Sequence, residues 1–229
     1  KKIVWLSNIS KIKKIPSIFI ANEFFDSIPI KQFEKKEGLW FEKFVNLVDS
    51  KKAKFFERKV DIKKIEKKLN FKISQNQNFI EYSELGHYYL KEISKIIKKN
   101  NGGLLLIDYG YTHKKMKNTL QAISNHKFAN ILDNIGNVDI THDISFDLFR
   151  NFIKKIGGLK NNLTSQKNFL IKMGIEQRAE IISRNQNFSK KADIYYRLKK
   201  LIDEKQMGNI FKVMLVKNKK NKFNLGFEK

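Results

Sequence analysis

The sequence has 229 residues, no cysteine and a formal net charge of +24 at pH 7. A hydrophobic fraction of 41% is enough for a buried core and excludes a disordered chain, and the lack of cysteine excludes disulfides and thiolate metal sites. No run approaches the roughly 18 apolar residues that a membrane-spanning helix needs. The charge alone would suit nucleic acid, but the cations are mostly lysines scattered in pairs, which favours a generic basic surface.

The first chemically informative segment is a short apolar run with polar residues directly behind it. Ser17 to Ala21 is typical of a buried strand, and Asn22, Glu23 and Asp26 follow it. A buried parallel strand delivers functional side chains at its carboxyl end, so these residues are candidates for a site. The alternative is an ordinary turn in which Asp26 caps a helix that starts near Ser27.

The next segment alternates apolar and polar residues on both sides of a polar turn. Leu39–Leu47 and Ala53–Val60 have the strand period, and Asp49 to Lys52 separate them. The pattern predicts an inserted β-hairpin over residues 38–60.

A helix followed by a buried strand comes next. Asp61 is a plausible N-cap of a first short helix, and the apolar spacing predicts a longer helix over Tyr82–Lys99. Residues 100–103, Asn-Asn-Gly-Gly, tolerate left-handed backbone angles and end that helix. Leu104–Ile107 then predicts a second buried strand, which ends at Asp108 and Tyr109. The order indicates a βαβ-type unit.

Residues 112–143 lack a clear period, and we predict a long loop there with a role as a lid. Asp139, Thr141 and Asp143 would line a substrate entrance, although a turn rich in Asp and Thr needs no function. The remaining periodic segments predict four helices and a last strand: Phe146–Ile156, Gln166–Met173, Glu176–Ser183, Ile194–Ile202 and Ile210–Val216. The four histidines, His87, His113, His126 and His142, show no metal-ligand spacing.

Six segments resemble, in the same order, the methyltransferase family whose mitochondrial member is an assembly factor of respiratory complex I. They are Ala21–Phe33 (ANEFFDSIPIKQF), Leu104–Tyr111, Thr119–Lys127, Asp139–Phe146, Gln166–Glu180 and Met207–Val216. The resemblance implies an α/β, class I S-adenosylmethionine-dependent methyltransferase (Rossmann-like) fold with a mostly parallel sheet and helices on both faces. It implies S-adenosylmethionine as cofactor and a protein substrate, namely arginine of a complex I subunit. It also implies a compartment, either bacterial cytoplasm or mitochondrial matrix.

The resemblance also implies parts that this sequence does not contain. The family begins with a strand and a Gly-rich cofactor loop, and no such run occurs among residues 1–229. The acidic residue that would hold the cofactor ribose is absent as well. We therefore expect residues 1–229 to form a partial methyltransferase domain that is inactive alone.

The chemistry of arginine methylation suggests roles for the residues that follow the predicted strands. Guanidinium is always protonated, and acidic groups can orient it and localise a lone pair, so Glu23 and Asp26 are the predicted catalytic residues. Asn22 and an aromatic ring, Phe25 or its neighbour Phe24, are the predicted cofactor contacts. The predicted substrate-binding residues are Asp108, Tyr109, Asp139, Thr141 and Asp143. Two alternatives stay open: a methyltransferase that acts on nucleic acid, and a non-catalytic assembly module on the same fold.

Overall fold

The computed structural model describes residues 3–13, 15–48, 52–125, 127–133 and 136–227. Its strands are β1 Ser17–Asn22, β2 Lys31–Lys36, β3 Leu39–Leu47, β4 Ala53–Val60, β5 Phe79–Tyr82, β6 Gly102–Tyr111, β7 Gln121–Ser124, β8 Lys127–Ala129, β9 Asp139–Thr141, β10 Ile144–Ser145, β11 Leu159–Ser165 and β12 Phe211–Asn218. Its α-helices are α1 Ile62–Leu69, α2 Glu84–Asn100, α3 Phe146–Ile156, α4 Gln166–Lys172, α5 Ile175–Ser183, α6 Phe188–Ile202 and α7 Met207–Ile210. Among the residues described, no helix is both long enough and apolar enough to cross a membrane.

The chain divides into two compact units. Unit 1 contains Lys1–Glu23, Glu92–Tyr111 and Ile156–Lys229, and unit 2 contains Phe24–Lys91 and Thr112–Lys155. The sequence predicts a single partial domain.

The sheet of unit 1 is mixed. Its strands lie in the order β1–β6–β12–β11, with β1 parallel to β6 and the other two neighbouring pairs antiparallel. The α/β class predicted from sequence is confirmed, but the expectation of a mostly parallel sheet is wrong for this part of the molecule. The apolar run of β12 indicates a buried strand and carries no signal of its direction, and the polar β11 was missed altogether.

A glycine fixes the place where β6 begins beside β1. Gly102 has φ +108°, and a Cβ atom added to it would lie 2.0 Å from the backbone oxygen of its ladder partner Ser17. Asn101 before it also has a positive φ of 70°. The predicted helix stop over residues 100–103 is therefore confirmed, and the close approach of two backbones explains why glycine occupies this position.

Unit 2 contains an antiparallel sheet in the order β4–β3–β2–β5. The pairing of β3 with β4 confirms the hairpin, and the Arg58 guanidinium lies over the rings of Phe44 and Phe56. Asp49–Lys51, the first three residues of the predicted turn, lie outside the described residues. Strand β5 was missed: Tyr82 ends a strand, and helix α2 begins only at Glu84. The buried hydrophobic cluster of this unit contains Phe33, Trp40, Ile62, Ile73, Ile80, Tyr82 and Leu148.

The segment 112–143 is more regular than the predicted long loop. Strands β8, β7 and β9 form a three-stranded antiparallel sheet within it. The loop prediction is wrong for these strands because strands of three or four residues are too short to show a period. His126, between β7 and β8 in sequence, lies outside the described residues.

Candidate functional site

The carboxyl end of β1 presents two exposed polar side chains in an unusual backbone conformation. Glu23 has φ +46°, a left-handed conformation that costs a non-glycine residue about 1 kcal/mol or more. Its backbone N–H donates to the Ile107 oxygen at 2.9 Å, which holds this conformation in place. The Asn22 amide nitrogen lies 3.5 Å from Glu23 Oε1. An amide and a carboxylate therefore reach solvent together at the carboxyl end of β1. Ile18 and Ile20 of this strand are exposed, so the prediction of a buried strand is wrong for the part of the chain that the structure describes.

The structure does not support the alternative in which Asp26 caps a helix near Ser27. Asp26 and Ser27 lie in a turn that leads to the extended residues before β2. The polar residues after β1 consequently need an explanation other than helix capping.

The two polar residues near the end of β6 project from opposite faces of the sheet. Asp108 is fully buried, and its Oδ1 accepts the Tyr109 N–H at 3.0 Å. Tyr109 packs edge-on against Phe211, with the ring centroids 5.3 Å apart. Asn22 pairs with Ile107, so the strand period places Asn22 on the face of Tyr109 rather than that of Asp108. Of the two predicted substrate contacts, Tyr109 is the one on the Asn22 side.

Asp26 belongs to a buried polar group of unit 2. Thr141 Oγ1 donates to Asp26 Oδ2 at 3.1 Å, and both residues are less than one tenth exposed. The adjacent His142 has its Nε2 at 3.3 Å from the Ile28 backbone oxygen. The hydrogen bonds tie the segment after β1 to the end of β9. Asp26 and Thr141, which the sequence predicts as a catalytic and a substrate-binding residue, therefore lie next to each other, but both are buried inside the protein.

The predicted cofactor contact of Phe25 needs correction. Its side chain is 1% exposed and packs edge-on against Phe24 and Phe149, with ring centroids 5.1 and 5.2 Å away. A ring that is buried to this extent is part of the hydrophobic core and has no accessible face for a cofactor. Phe24 is 39% exposed, which leaves it as the aromatic residue of the pair that can meet a ligand.

Asp143 is anchored by a buried network that the sequence did not reveal. Its backbone N–H donates to Thr119 Oγ1 at 2.9 Å, and Thr119 in turn donates to the Glu81 carboxylate through its N–H and its hydroxyl. Gln32 Nε2 donates to the other Glu81 oxygen at 2.6 Å. Burial raises the pKa of Asp143, and Lys117, 3.9 Å away, opposes that shift. In the sequence, the only sign of this network is Glu81, a single acidic residue among the apolar residues of β5.

The remaining predicted residue, Asp139, is exposed on β9 and pairs in register with Ile123. Within the ranges that the structure describes, no three His, Asp or Glu side chains are grouped so that they could hold a metal ion.

His87 is a buried histidine that the sequence gave no reason to single out. It is 4% exposed, its ring lies 3.9 Å from that of Phe152, and neither ring nitrogen has a hydrogen-bond partner among the described residues. Burial lowers the pKa of His87 to about 4, and the positive charge of Lys91 adds to that shift. His87 is therefore neutral near pH 7.

Comparison with known proteins decides the family. Residues 1–164 match a family model whose description reads "Putative S-adenosyl-L-methionine-dependent methyltransferase". The chain belongs to this family. Among curated relatives it is similar to "Protein arginine methyltransferase NDUFAF7, mitochondrial" of Danio rerio, with 24% identity over 94% of this chain and 51% of the relative. The Caenorhabditis elegans homologue is 29% identical over 77% of this chain and 42% of the relative.

A solved structure shares the fold. A crystal structure from Burkholderia thailandensis, bound to S-adenosyl-homocysteine, superposes with a TM-score of 0.75 and 20% identity. The superposition covers 99% of this chain and 57% of the other. The fold is therefore that of this methyltransferase family, and the chain spans about half the length of the curated relatives that it matches.

Proposed function

We propose that this chain is part of an S-adenosylmethionine-dependent methyltransferase that modifies arginine in a protein. One observation carries the proposal: an exposed Glu23 carboxylate stands at the carboxyl end of β1 in a left-handed conformation, beside the Asn22 amide. The family match supports methyl transfer as the reaction. The names of the curated relatives support arginine as the acceptor and a mitochondrial setting.

The residues present fit part of a cofactor site. S-adenosylmethionine, when bound, supplies an electrophilic methyl group on a sulfonium. Asn22 can hydrogen-bond a ligand at the strand end, and Glu23 is suited to a positive charge nearby. The sequence has no Gly-rich run to cradle the methionine and ribose portions. In the proposal, this chain supplies the acceptor side of the site, and the rest of the cofactor cradle comes from outside residues 1–229.

Arginine as the acceptor explains why a carboxylate should stand here. A guanidinium keeps its proton at any physiological pH, and its lone pairs are delocalised over the group. A carboxylate that accepts two N–H bonds can orient the guanidinium and bias its electron density toward one nitrogen. Glu23 is exposed and has this role in the proposal. Asp26 is buried against Thr141 and has a positioning role for the segment after β1.

The substrate of the proposal is a subunit of respiratory complex I, as the six family-like segments imply. Tyr109, Asp139 and Asp143 are proposed to contact it, because the first two are accessible and Asp143 is held in place through its backbone. Residues 1–229 are proposed to form a partial domain, and the compartment follows the host: mitochondrial matrix in a eukaryote, cytoplasm in a bacterium.

Product analysis tests the reaction and the acceptor together. The gene product that contains this chain is incubated with methyl-labelled S-adenosylmethionine and purified complex I from the same organism, and the subunits are analysed by mass spectrometry. We expect label on arginine nitrogens of a single subunit. Label on lysine, label on RNA, or no transfer above the level without enzyme would each contradict the proposal.

A nucleic-acid substrate is the second candidate. A groove of about 440 Å³ in unit 1 is lined by Lys98, Lys99, Lys219 and Lys220 together with Asn218, which is a suitable place for phosphates. The candidate predicts RNA binding that weakens steeply between 50 and about 200 mM salt. Replacement of Lys219 and Lys220 by Gln should then weaken RNA binding, while replacement of Lys35 on β2 and Lys59 on β4 should not.

A further inference from the structure

A cleft within unit 2 gathers positive charge from separate parts of the sequence. It has a volume of about 860 Å³, and its walls come from residues 71–77, residues 113–116 and helix α3. That volume lies in the range of about 300–1,000 Å³ that is common for ligand clefts. Among the residues that line it are four lysines, and we call it the lysine cleft: Lys72, Lys114, Lys115 and Lys155.

The lysines of the cleft have no counter-ions of their own. None of the four makes an ion pair within the ranges that the structure describes. Asp147 is the single carboxylate among the described residues that line the cleft, and its Oδ1 already lies 3.5 Å from Nη1 of Arg150. The cleft therefore keeps a positive potential that suits a negatively charged ligand.

The walls between the lysines match a peptide. The apolar residues of the lining belong to the hydrophobic cluster of unit 2 or pack against it: Phe71, Ile73, Met116 and Leu148. The exposed side-chain amides of Gln75, Asn76 and Asn151 line the cleft as well. An amide both donates and accepts hydrogen bonds, so it can pair with the N–H and C=O groups of a peptide backbone. Cations, amides and apolar walls together fit a peptide with acidic side chains.

Gln77 holds the two loops of the cleft together. Its Nε2 donates to the Lys114 backbone oxygen at 2.7 Å, and its Oε1 accepts the Met116 N–H at 2.8 Å. The Ser74 N–H and hydroxyl donate to Oε1 of Glu66 at 2.9 and 2.7 Å, which fixes the loop after α1. A cleft whose loops are already held in place loses less conformational entropy when a ligand binds.

We propose that the lysine cleft binds an acidic segment of the protein that is methylated. The inference rests on the proposed function, because the partner is the protein that carries the acceptor arginine. It adds a recognition element of the substrate that is separate from that arginine. A chain with a net charge of +24 repels an arginine side chain. An acidic segment in the same substrate offsets the repulsion and steers the substrate to the enzyme.

A nucleic-acid strand fits the cleft less well than an acidic peptide. Within the described part of the chain, the lining contains no arginine, the residue that pairs with phosphate through two parallel hydrogen bonds. The phenyl ring of the lining, Phe71, is half-buried and packs edge-on against Phe152, with the ring centroids 6.1 Å apart. It offers little surface on which a base could stack.

Fluorescence anisotropy with a labelled peptide tests the proposal. The complete gene product is titrated into a short peptide of alternating Glu and Ala, and a peptide of alternating Gln and Ala is the neutral control. We expect the Glu peptide to bind about tenfold more tightly or better at low salt, and its affinity to fall as salt is added. Equal affinity for the two peptides would overturn the proposal.

Charge reversal locates the binding site. The double variant Lys72→Glu, Lys115→Glu should weaken binding of the Glu peptide about tenfold or more. The matched control is Lys63→Glu, Lys64→Glu, which changes the net charge equally at exposed lysines of α1 outside the cleft and should change the affinity less than about twofold. Equal weakening by the two variants would show a general attraction of charge and would overturn the proposal. A cleft variant that weakens binding of oligouridine but not of the Glu peptide would overturn it too.

Steady-state kinetics distinguishes failure of this inference from failure of the proposed function. With the protein substrate, the cleft variant should raise KM about fivefold or more with a smaller effect on kcat, because its lysines bind the substrate and take no part in methyl transfer. The Lys63, Lys64 variant should leave both constants unchanged. A wild type that binds the Glu peptide but methylates no arginine would contradict the proposed function. Arginine methylation with the same KM in the wild type and the cleft variant would overturn the role of the lysine cleft.

Discussion

Thr141 Oγ1 donates a hydrogen bond to Asp26 Oδ2 at 3.1 Å, although 115 positions separate the two residues in the chain. The bond joins the turn after β1 to the end of β9. Two residues that the sequence could only propose as separate catalytic and substrate-binding groups form one buried pair.

Removal of the Thr141 hydroxyl should weaken unit 2. Thr141→Val keeps the shape of the side chain and removes the donor to Asp26, a residue that is only 6% exposed. The loss should lower the free energy of unfolding by about 1–3 kcal/mol, measured by urea denaturation. Thr141→Ser retains the hydroxyl and should cost less than half as much. Equal stability of the Val variant and the wild type would show that the bond contributes nothing.

His87 should make the protein sensitive to mild acid. The pKa of the unfolded imidazole is 6.5, and burial lowers the folded value to about 4. Below pH 6.5 the unfolded chain therefore takes up a proton that the folded chain refuses, so stability falls as the pH drops from 6.5 toward 4 and then levels off. The total loss from this group should be about 3 kcal/mol.

The His87→Leu variant isolates this contribution. Its free energy of unfolding should change less between pH 7 and pH 4 than that of the wild type, with the difference concentrated below pH 6.5. The exposed His113 provides the control, and His113→Leu should leave the pH dependence as it is. Parallel stability curves for the wild type and His87→Leu would mean that His87 is protonated in the folded state.

Gly102→Ala should be more harmful than an ordinary glycine substitution. Its Cβ would meet the Ser17 oxygen at 2.0 Å, at a φ of +108°. We expect a loss on the order of 3 kcal/mol or more, because β1 and β6 would have to separate locally. Gly157 is the control, with φ +69° and nothing within 4 Å of an added Cβ. Gly157→Ala should cost only about 1 kcal/mol. Similar losses for the two variants would show that backbone strain, and not the contact with Ser17, decides the outcome.

Glu81→Gln should loosen the segment around Thr119. The carboxylate accepts hydrogen bonds from Gln32 Nε2 and from the Thr119 N–H and hydroxyl. A glutamine would turn one acceptor into a donor that faces these donors, at a cost on the order of 2 kcal/mol. Hydrogen exchange at the Thr119 and Asp143 amides should accelerate, whereas amides of β11 should be unaffected. Unchanged hydrogen exchange at the Thr119 amide would show that Glu81 does not anchor the segment around Thr119.

Long periodic elements could be predicted from the sequence because their signals are local. Helix α3 was predicted with its observed bounds, and Asp61 caps α1 by accepting the Lys63 N–H. Strands β5 and β11 were missed because four residues are too few for a period and LKNNLTS is too polar. The antiparallel direction of β12 could not be predicted either, because an apolar run does not indicate whether a strand is parallel or antiparallel to its neighbour.

The candidate site was predictable only in outline. Asn22 and Glu23 could be proposed as site residues because polar residues directly after an apolar strand are a local pattern. The burial of Asp26, Phe25 and Asp108 depends on partners far away in sequence, so no local pattern could reveal it. Glu81 and His87 were overlooked for the same reason: each is a single polar residue whose surroundings are assembled by tertiary packing.

In the proposed reaction, the exposed Glu23 carboxylate orients the acceptor arginine. The direct test is the steady-state kinetics of methyl transfer by the complete gene product and its Glu23→Gln variant. Glu37→Gln is the matched control, since Glu37 is also an exposed glutamate with a positive φ, 48°. We predict that Glu23→Gln lowers kcat about 100-fold or more without loss of folding, and that Glu37→Gln leaves kcat within about twofold. Equal kcat values for the two variants would contradict the account.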